Sequence, residues 1–382
     1  MSDEEPTVDH PSGTNRRWIA PLRFDGWRTD VLILLGLIGF VVILRPVLAS
    51  DVVLGYDAIA ERILLYMLIV AAFNLLLGYT GLLSFGHAAF LGTGMYAVAI
   101  VLSQTGGRWF VPAALVGLVL AGISGYLMVR LIVEKGEIYF AMLTFAFLEI
   151  FWHLANANPL DLTGGSEGLA RNVVPTWIDI YRGEMTVLIG GLEFDFFWLV
   201  AIVFIVSIYL LYRIVKSPFG RTLVAIREND ELARSVGIDV RRYKVHSFTL
   251  SAVFTSVAGV FLVVVEGGVS TENLHWMQSG EIILMTIIGG VTSFIGPMIG
   301  AVLWIGGADY LQSFEHLVLP FPGFEIVRYD VTDLTAYWRF LFGLLFVIII
   351  IVRPNDGIWG SIKDAGNWVC DQAAQRFGGG RR

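Results

Sequence analysis

Ten apolar runs, separated by polar or glycine-rich segments, dominate the pattern of this 382-residue chain. A helix needs about 20 predominantly apolar residues to cross a bilayer, whereas transmembrane strands alternate over segments of about ten residues. The pattern therefore predicts an all-α, polytopic helical membrane protein with about ten transmembrane spans. The predicted spans are residues 31–48, 59–77, a third that ends near residue 102, 110–133, 138–154, 196–214, 248–265, 282–288, 298–311 and 336–352.

The eighth run is the exception in length. Residues 282–288 are too few for a full crossing, and the run breaks at Gly289 and Gly290. Nine spans plus a re-entrant element is therefore the alternative count.

Both ends of the chain are polar. Residues 1–30 are predicted to form a cytoplasmic N-terminal tail, residues 31–353 the transmembrane domain, and residues 354–382 a cytoplasmic C-terminal tail. The first segment lacks the apolar core of a signal peptide, so no cleavable signal is expected. Four arginines just before the first span favour a cytoplasmic N-terminus.

If the chain crosses the membrane ten times, the loops on one side differ in charge from the loops on the other. Residues 216–244 carry seven basic and four acidic residues, which predicts a cytoplasmic loop. Residues 155–195, 266–280 and 313–335 are predicted to lie outside, and the first of them is rich in Gly, Pro, Asn and acidic residues. Within it, Trp177–Gly183 is interpreted as a short interfacial helix.

Composition supports the membrane assignment and limits the chemistry. The chain is 56% hydrophobic and 15% charged, against roughly 25% charged residues in soluble domains. Its mean hydropathy is +0.70. The single cysteine, Cys370, excludes an intrachain disulfide and a cysteine-based metal site, and no metal site is predicted.

The cytoplasmic loop has a helical pattern. Leu223, Ile226, Ala233 and Val236 recur at near-helical spacing, and Gly237 stands where a helix would end. The loop is therefore predicted to contain a short amphipathic helix over residues 222–236. The alternative is a solvated loop without regular structure.

Two glycine-rich stretches interrupt the apolar pattern, at residues 78–94 and 289–300. Both contain a Ser-Phe pair before a glycine, which suggests a weak internal repeat. Interrupted segments in two halves of a transporter point to the substrate path, although small residues also simply permit close helix packing. The candidate pathway residues are Gly78, Tyr79, Thr80, Ser84, His87, Glu149, Thr292 and Ser293.

Ionisable residues inside apolar runs are candidates for function, because a charged side chain exposed to lipid is costly. Glu149 and His153 are four residues apart and share a helix face, so they can pair as a proton relay or as a structural pair. His87 and Asp309 are the other two such residues.

Motifs of known catalytic machinery are missing from the sequence. It contains no GxxxxGK[ST] phosphate loop, HExxH, GxSxG or paired CxxC motif, and no TVGYG filter. The chain is therefore not predicted to be an enzyme, and a membrane-embedded enzyme would need a catalytic cluster that the sequence does not present.

Several long motifs in fixed order resemble one family. NLLLGYTGLLSFGHAAFLGTGMYA (74–97), GEIYFAMLTFAFLEI (136–150), LTGGSEGL (162–169), residues 217–252 and ILMTIIGGVTSFIGPMIGAVL (283–303) are similar to the permease subunits of branched-chain amino acid ABC importers, the LivM type. The resemblance runs from roughly residue 60 to residue 360. Residues 313–335 are longer than the family pattern, so an added outer structure is expected there.

The resemblance implies a multi-pass permease domain in a bacterial inner membrane, surrounded by lipid. Its implied partners are a LivH-like second permease, two cytoplasmic ATPases that bind the ATP, and a periplasmic solute-binding protein. The chain itself would carry no cofactor and bind no nucleic acid. LTGGSEGL would lie where the binding protein docks.

The resemblance also implies that the cytoplasmic loop contacts the ATPase. The residues assigned to this coupling role are Leu223, Ile226, Arg227, Glu228, Asn229, Glu231, Ala233 and Gly237. Two alternative functions stay open: a permease for another small carboxylate, amide or urea in the same importer family, and a stand-alone secondary carrier that uses Glu149 and His153.

Overall fold

A computed structural model describes most of the chain, and its helices coincide with the predicted runs. The described residues are 26–48, 59–170, 173–181, 184–189, 192–313, 316–318, 328–330, 338–352, 356–361 and 363–364. The helices are α1 (Gly26–Leu48), α2 (Ala60–Asn74), α3 (His87–Thr105), α4 (Phe110–Ile132), α5 (Glu137–Ala157), α6 (Phe196–Lys216), α7 (Pro218–Glu228), α8 (Asp230–Ser235), α9 (Val240–Val265), α10 (Trp276–Gly289), α11 (Gly296–Ser313) and α12 (Trp338–Val352).

Every predicted span is helical, which confirms a multi-pass helical architecture for the described residues. Six helices there are long and apolar enough to cross a membrane: α2 with the turn that follows it, α3, α4, α5, α6 and α9. The count of about ten crossings stays a prediction. The predicted N-terminal tail is shortened, because residues 26–30 belong to α1, and residues 1–25 lie outside the described residues.

Helix α9 forms the centre of the bundle and packs against α2, α3 and α4. Small residues permit the close crossing of α3 and α9: a Cβ on Gly94 would meet the backbone oxygen of Ser256, and one on Gly259 would meet that of Leu91. Serines and threonines of α9 are buried in the same contact zone, so the centre of the bundle is partly polar.

Helices α4, α5 and α6 present broad apolar faces at the periphery of the chain. Leu115, Val119 and Ile202 are each more than half exposed. Apolar side chains at this density are compatible with lipid chains or with a second membrane subunit.

The bundle has two polar ends. Residues 81–86, 133–136, 217–239 and 290–295 gather at the α7–α8 end, where Arg241 binds Glu134 at 2.9 Å. The opposite end carries residues 266–275 and the long segment after α5. There, Leu169 and Val269 exchange backbone hydrogen bonds of 2.8 and 2.9 Å. The described loops lie at these two ends as the predicted grouping has them. Most of the predicted outer segment 313–335 lies outside the described residues, and the cytoplasmic or external side of each end stays a prediction.

The prediction of an interfacial helix at Trp177–Gly183 was wrong. Strands β1 (Ile178–Tyr181), β2 (Glu184–Ile189) and β3 (Leu192–Asp195) form an antiparallel sheet, in which Ile178 pairs with Val187 and both are buried. The segment alternates with a period of two, and three short strands pair more readily than one isolated turn of helix forms. A second pair, β4 (His316–Val318) and β5 (Arg328–Asp330), lies in the segment where an added structure was expected. The all-α prediction therefore needs these two small sheets added.

Candidate functional site

The first glycine-rich stretch begins with a π-helical turn, Leu75–Thr80, that extends α2. Such turns are rare and occur mostly at functional sites. The Thr80 hydroxyl donates to the Leu75 carbonyl at 2.9 Å and lies 2.6 Å from the Ser247 hydroxyl of α9. Gly81 ends the turn with a φ of 78°, which favours glycine.

The second glycine-rich stretch is a short turn between α10 and α11. Gly290 has a φ of 112°, and the Ser293 hydroxyl accepts a 2.8 Å bond from the Gly296 amide at the start of α11. Thr292 donates to the Asp356 carboxylate at 3.0 Å, so residues after α12 close over this turn.

One contact joins the two interrupted stretches to each other, and a second joins the first stretch to α7. The Asn74 amide donates to the Ser293 carbonyl at 2.9 Å, and the Arg227 guanidinium of α7 donates to the Gly78 carbonyl. We name this group, Asn74, Gly78, Arg227 and Ser293, the three-way junction. It links the end of α2, the α10–α11 turn and residues 217–239, which we call the coupling segment after their predicted role.

His87 begins α3 and is fully buried at the centre of the bundle. Its Nε2 lies 2.8 Å from the Ser251 hydroxyl, which donates to the Ala72 carbonyl at 2.7 Å. The ring packs edge-on against Phe73, Phe90 and Phe248. This arrangement ties α2, α3 and α9 together.

The eight predicted pathway residues do not form one site. Gly78 and Ser293 meet through the junction, while Thr80 and His87 contact α9, and Tyr79 is partly buried beside them. Ser84 is buried, and its hydroxyl accepts a bond from the Gly86 amide. These residues lie in the half of the bundle toward the α7–α8 end.

Glu149 lies apart from the other pathway residues. It is half-buried on the peripheral helix α5, and His153 is exposed. Within the described residues no hydrogen bond or ion pair joins Glu149 to His153, and the His153 ring instead packs edge-on against Trp152 at 4.8 Å. The predicted pairing of Glu149 with His153 is therefore wrong in this structure.

The coupling segment forms two helices rather than the single helix predicted over residues 222–236. Asn229 has extended backbone angles, φ −158° and ψ 104°, and separates α7 from α8. Its side chain caps α8 by accepting a 2.8 Å bond from the Leu232 amide. An asparagine before Asp230 and Glu231 is a typical helix start, and this signal was missed.

The predicted apolar face of the coupling segment is turned toward the chain itself. Leu223, Ile226 and Ala233 are buried, and the last two pack with Val240 of α9. Val236 was assigned to the same face but is 70% exposed. The predicted helix end at Gly237 is confirmed, because this residue follows α8 with a φ of 87°.

The exposed surface of α7 and α8 has a different composition from the predicted docking face. Leu232 is 62% exposed and lies one helical turn before Val236. The predicted coupling residues Glu228, Asn229 and Glu231 are also exposed, as is Arg227, whose guanidinium is bonded to the Gly78 carbonyl. Leu232 was missed in the sequence analysis; its i,i+4 spacing to Val236 is visible in the sequence, but periodicity alone does not separate this face from the buried one.

Asp230 fixes α8 to the bundle. Its carboxylate accepts a 2.9 Å bond from Lys244 of α9 and also pairs with Arg234 at 3.3 Å. Burial opposes the charged form, but the bonds from Lys244 and Arg234 outweigh it and lower the pKa of the carboxyl. The Asp230 carboxylate is therefore ionised at neutral pH. Its ion pairs with Lys244 and Arg234 are lost only as the pH falls through that lowered pKa.

A cavity of about 730 Å³ opens at the opposite end of the bundle, and no predicted pathway residue lines it. Its walls come from α2, α10, α11 and the turn after α9. The lining residues are Arg62, Tyr66, Glu266, Ser270, Glu272, Asn273, Gln278, Glu281, Trp304, Ile305, Ala308 and Asp309. Of these, the sequence analysis singled out only Asp309.

Hydrogen bonds hold part of the cavity wall in place. Gln278 donates to the Tyr66 hydroxyl at 3.0 Å, and Asn273 donates to the Glu266 carboxylate at 3.2 Å.

Burial raises the pKa of the Glu266 carboxyl, which caps the end of α9, while Arg62 and Asn273 act in the opposite direction. The Arg62 guanidinium lies 5.8 Å from the centre of the Tyr66 ring.

Helices broken at glycines, a polar cavity at one end and an amphipathic segment at the other define a polytopic membrane protein with the architecture of a transport subunit. Residues 55–350 match the family model described as the branched-chain amino acid transport system / permease component. The chain belongs to this family, which confirms the resemblance found in its motifs.

The relatives agree with the family match. The permease protein LivM of Salmonella typhimurium is 26% identical over 366 residues, which cover 92% of this chain and 80% of the relative. LivM of Escherichia coli is 27% identical over 316 residues, covering 79% and 69%. LivH of Escherichia coli is 25% identical over 263 residues, covering 65% and 82%. No solved structure matches the chain.

Proposed function

We propose that this chain is the LivM-type permease subunit of an ABC importer, and that it carries branched-chain or related amino acids across a bacterial inner membrane. The observation that carries the proposal is the family match over residues 55–350, with relatives named as high-affinity branched-chain amino acid permease proteins. In this assembly the chain pairs with a LivH-like permease, two ATPases that bind the ATP, and a periplasmic solute-binding protein.

The three-way junction gives the proposal a physical route for coupling. A permease without a phosphate loop must receive the free energy of ATP through a contact with the ATPase. Helices α7 and α8 offer a compact contact surface, and Arg227 connects α7 directly to the backbone at the end of α2. A charge-assisted hydrogen bond of this kind resists separation of the two elements when α7 moves.

The proposal is tested by uptake into vesicles that contain the complete importer. ATP supplied on the side of the membrane that carries the ATPases is expected to drive leucine uptake. A protonophore is expected to leave the rate of leucine uptake unchanged. Uptake that follows a proton gradient without ATP would replace the importer with the secondary carrier. The lack of a hydrogen bond or ion pair between Glu149 and His153 in the described residues disfavours that carrier, because its relay was expected to use this pair.

The orientation is tested by labelling single cysteines placed at Ser166 and Ser235 in a Cys370→Ser background. An impermeant maleimide added from outside is expected to label the first position and to reach the second only after the membrane is opened. Ser235 is exposed on α8, and Ser166 is exposed in the long segment after α5. Labelling of both from the same side would contradict a cytoplasmic α7–α8 end.

A further inference from the structure

We propose that the cavity at the opposite end of the bundle binds the amino acid as a zwitterion, with Arg62 holding the carboxylate and the acidic wall holding the ammonium group. This inference rests on the proposed function and adds a site and a binding mode to it. The cavity volume of about 730 Å³ falls within the roughly 300–1,000 Å³ typical of small-molecule sites.

Arg62 is the one basic residue among the described lining residues. Its Nε is buried without a hydrogen-bond partner in the described part of the chain, although the guanidinium packs near Tyr66. A buried guanidinium donor without an acceptor is costly, and a carboxylate is the acceptor that matches its fork geometry. Because Arg62 lines the cavity, a ligand carboxylate would bind its guanidinium in competition with Glu266 and Asp309, which act on Arg62 electrostatically.

The other charges of the wall exclude a simple anion site. Four carboxyl residues line the same cavity: Glu266, Glu272, Glu281 and Asp309. An anion without a compensating positive charge would be repelled by this wall, and a cation alone would leave the Arg62 donor unmatched. A ligand with both charges satisfies both conditions.

The remaining wall provides a place for an aliphatic side chain. Trp304, Ile305 and Ala308 of α11 line the cavity, and all three are buried. They lie on the same helix as Asp309, so an ammonium group near Asp309 directs the rest of the ligand along an apolar surface. An aliphatic amino acid would gain contacts with these three residues that a small polar solute such as urea would not.

Protection of an engineered cysteine tests the site directly. The reporter is Ser270→Cys, a cavity-lining position, and the matched control is Ser103→Cys at the same end of the bundle but outside the cavity, both in Cys370→Ser chains in membrane vesicles. Leucine is compared with 4-methylpentanoate, which lacks the ammonium group, and with 3-methylbutylamine, which lacks the carboxylate.

Leucine at about ten times its Kd is expected to slow alkylation of the reporter about tenfold, because only the free site reacts. The control reporter should react at an unchanged rate, and both analogues should protect the cavity far less. Arg62→Gln should remove the leucine protection, Arg62→Lys should retain part of it, and Arg108→Gln, an exposed arginine at the same end, should have no effect.

The outcomes separate this inference from the proposed function. Equal protection by 3-methylbutylamine, or protection that survives Arg62→Gln, would replace the zwitterion site with a cation site. ATP-driven leucine uptake without any leucine protection would overturn the inference and leave the importer in place. Leucine protection without ATP-driven uptake would support the zwitterion site and overturn the proposed importer function. If Arg62→Gln does not reach the membrane, the ligand series on the chain with Arg62 intact still decides the question.

Discussion

Ile226→Asp and Leu232→Asp are both expected to abolish coupled uptake, but only the first is expected to expose the coupling segment to proteases. Ile226 is 2% exposed and packs with Ala233 and Val240, whereas Leu232 is 62% exposed on α8. An unpaired carboxylate at the Ile226 position should destabilise the packed state of the coupling segment by about 3 kcal/mol or more. This raises the equilibrium constant for its local opening by a factor on the order of 100. At Leu232 the carboxylate stays in water and disturbs only a docking partner.

Limited proteolysis of membrane vesicles, together with co-purification of the ATPase, measures the difference. Ile226→Asp should be cleaved rapidly between residues 217 and 239, while Leu232→Asp should resist cleavage as the unsubstituted chain does and yet release the ATPase. Ile226→Val is the conservative control and should cost only about 0.5–1.5 kcal/mol. Unchanged uptake by Leu232→Asp would remove α8 from the docking surface.

Gly78→Ala is expected to cause a large loss of uptake from the addition of one methyl group. A Cβ at this position would collide with the Asn74 side chain and with the Val291 carbonyl, so the end of α2 and the α10–α11 turn would have to separate. Overpacking of this kind costs about 1–3 kcal/mol. The displaced backbone would also weaken the bond between Arg227 and the Gly78 carbonyl.

Gly36→Ala provides the matched control for this experiment. It adds the same methyl group within α1, where nothing lies within 4 Å of the new Cβ. Its effect should stay within about 0.5 kcal/mol, because alanine is also the better helix former. Membrane level, thermal unfolding and uptake are measured for both variants. Equal uptake by the two would show that the junction does not contribute to transport.

The sequence predicted the helices well because burial in lipid leaves a strong local signal. Each apolar run became a helix, and the two glycine-rich stretches became the breaks at Gly81 and Gly290. The contact between these two stretches was not predictable from the sequence, since the bond between Asn74 and Ser293 joins residues 219 positions apart. The weak internal repeat suggested two similar elements but not a contact between them.

The errors have local physical causes. The spacing of Leu223 and Ile226 predicted an apolar face correctly, but the same spacing serves packing within the chain as well as docking to a partner. The interfacial helix was predicted from the preference of Trp and Tyr for the membrane interface, and this preference does not distinguish a helix from the strand Ile178–Tyr181. The cavity was missed because Arg62 and Asp309 approach each other only after α2 and α11 have packed.

Helix α9 has mechanical consequences that follow from its length. It begins after Asp239, beside α8, and runs without interruption through 26 residues to Glu266 at the cavity wall. At about 1.5 Å per residue this is a rod of about 39 Å. A tilt of about 5° around the Asp239 end would carry Glu266 through about 3 Å, roughly the reach of a hydrogen bond. A small angular displacement at one end is thus amplified along this lever arm into the making or breaking of a contact at the other.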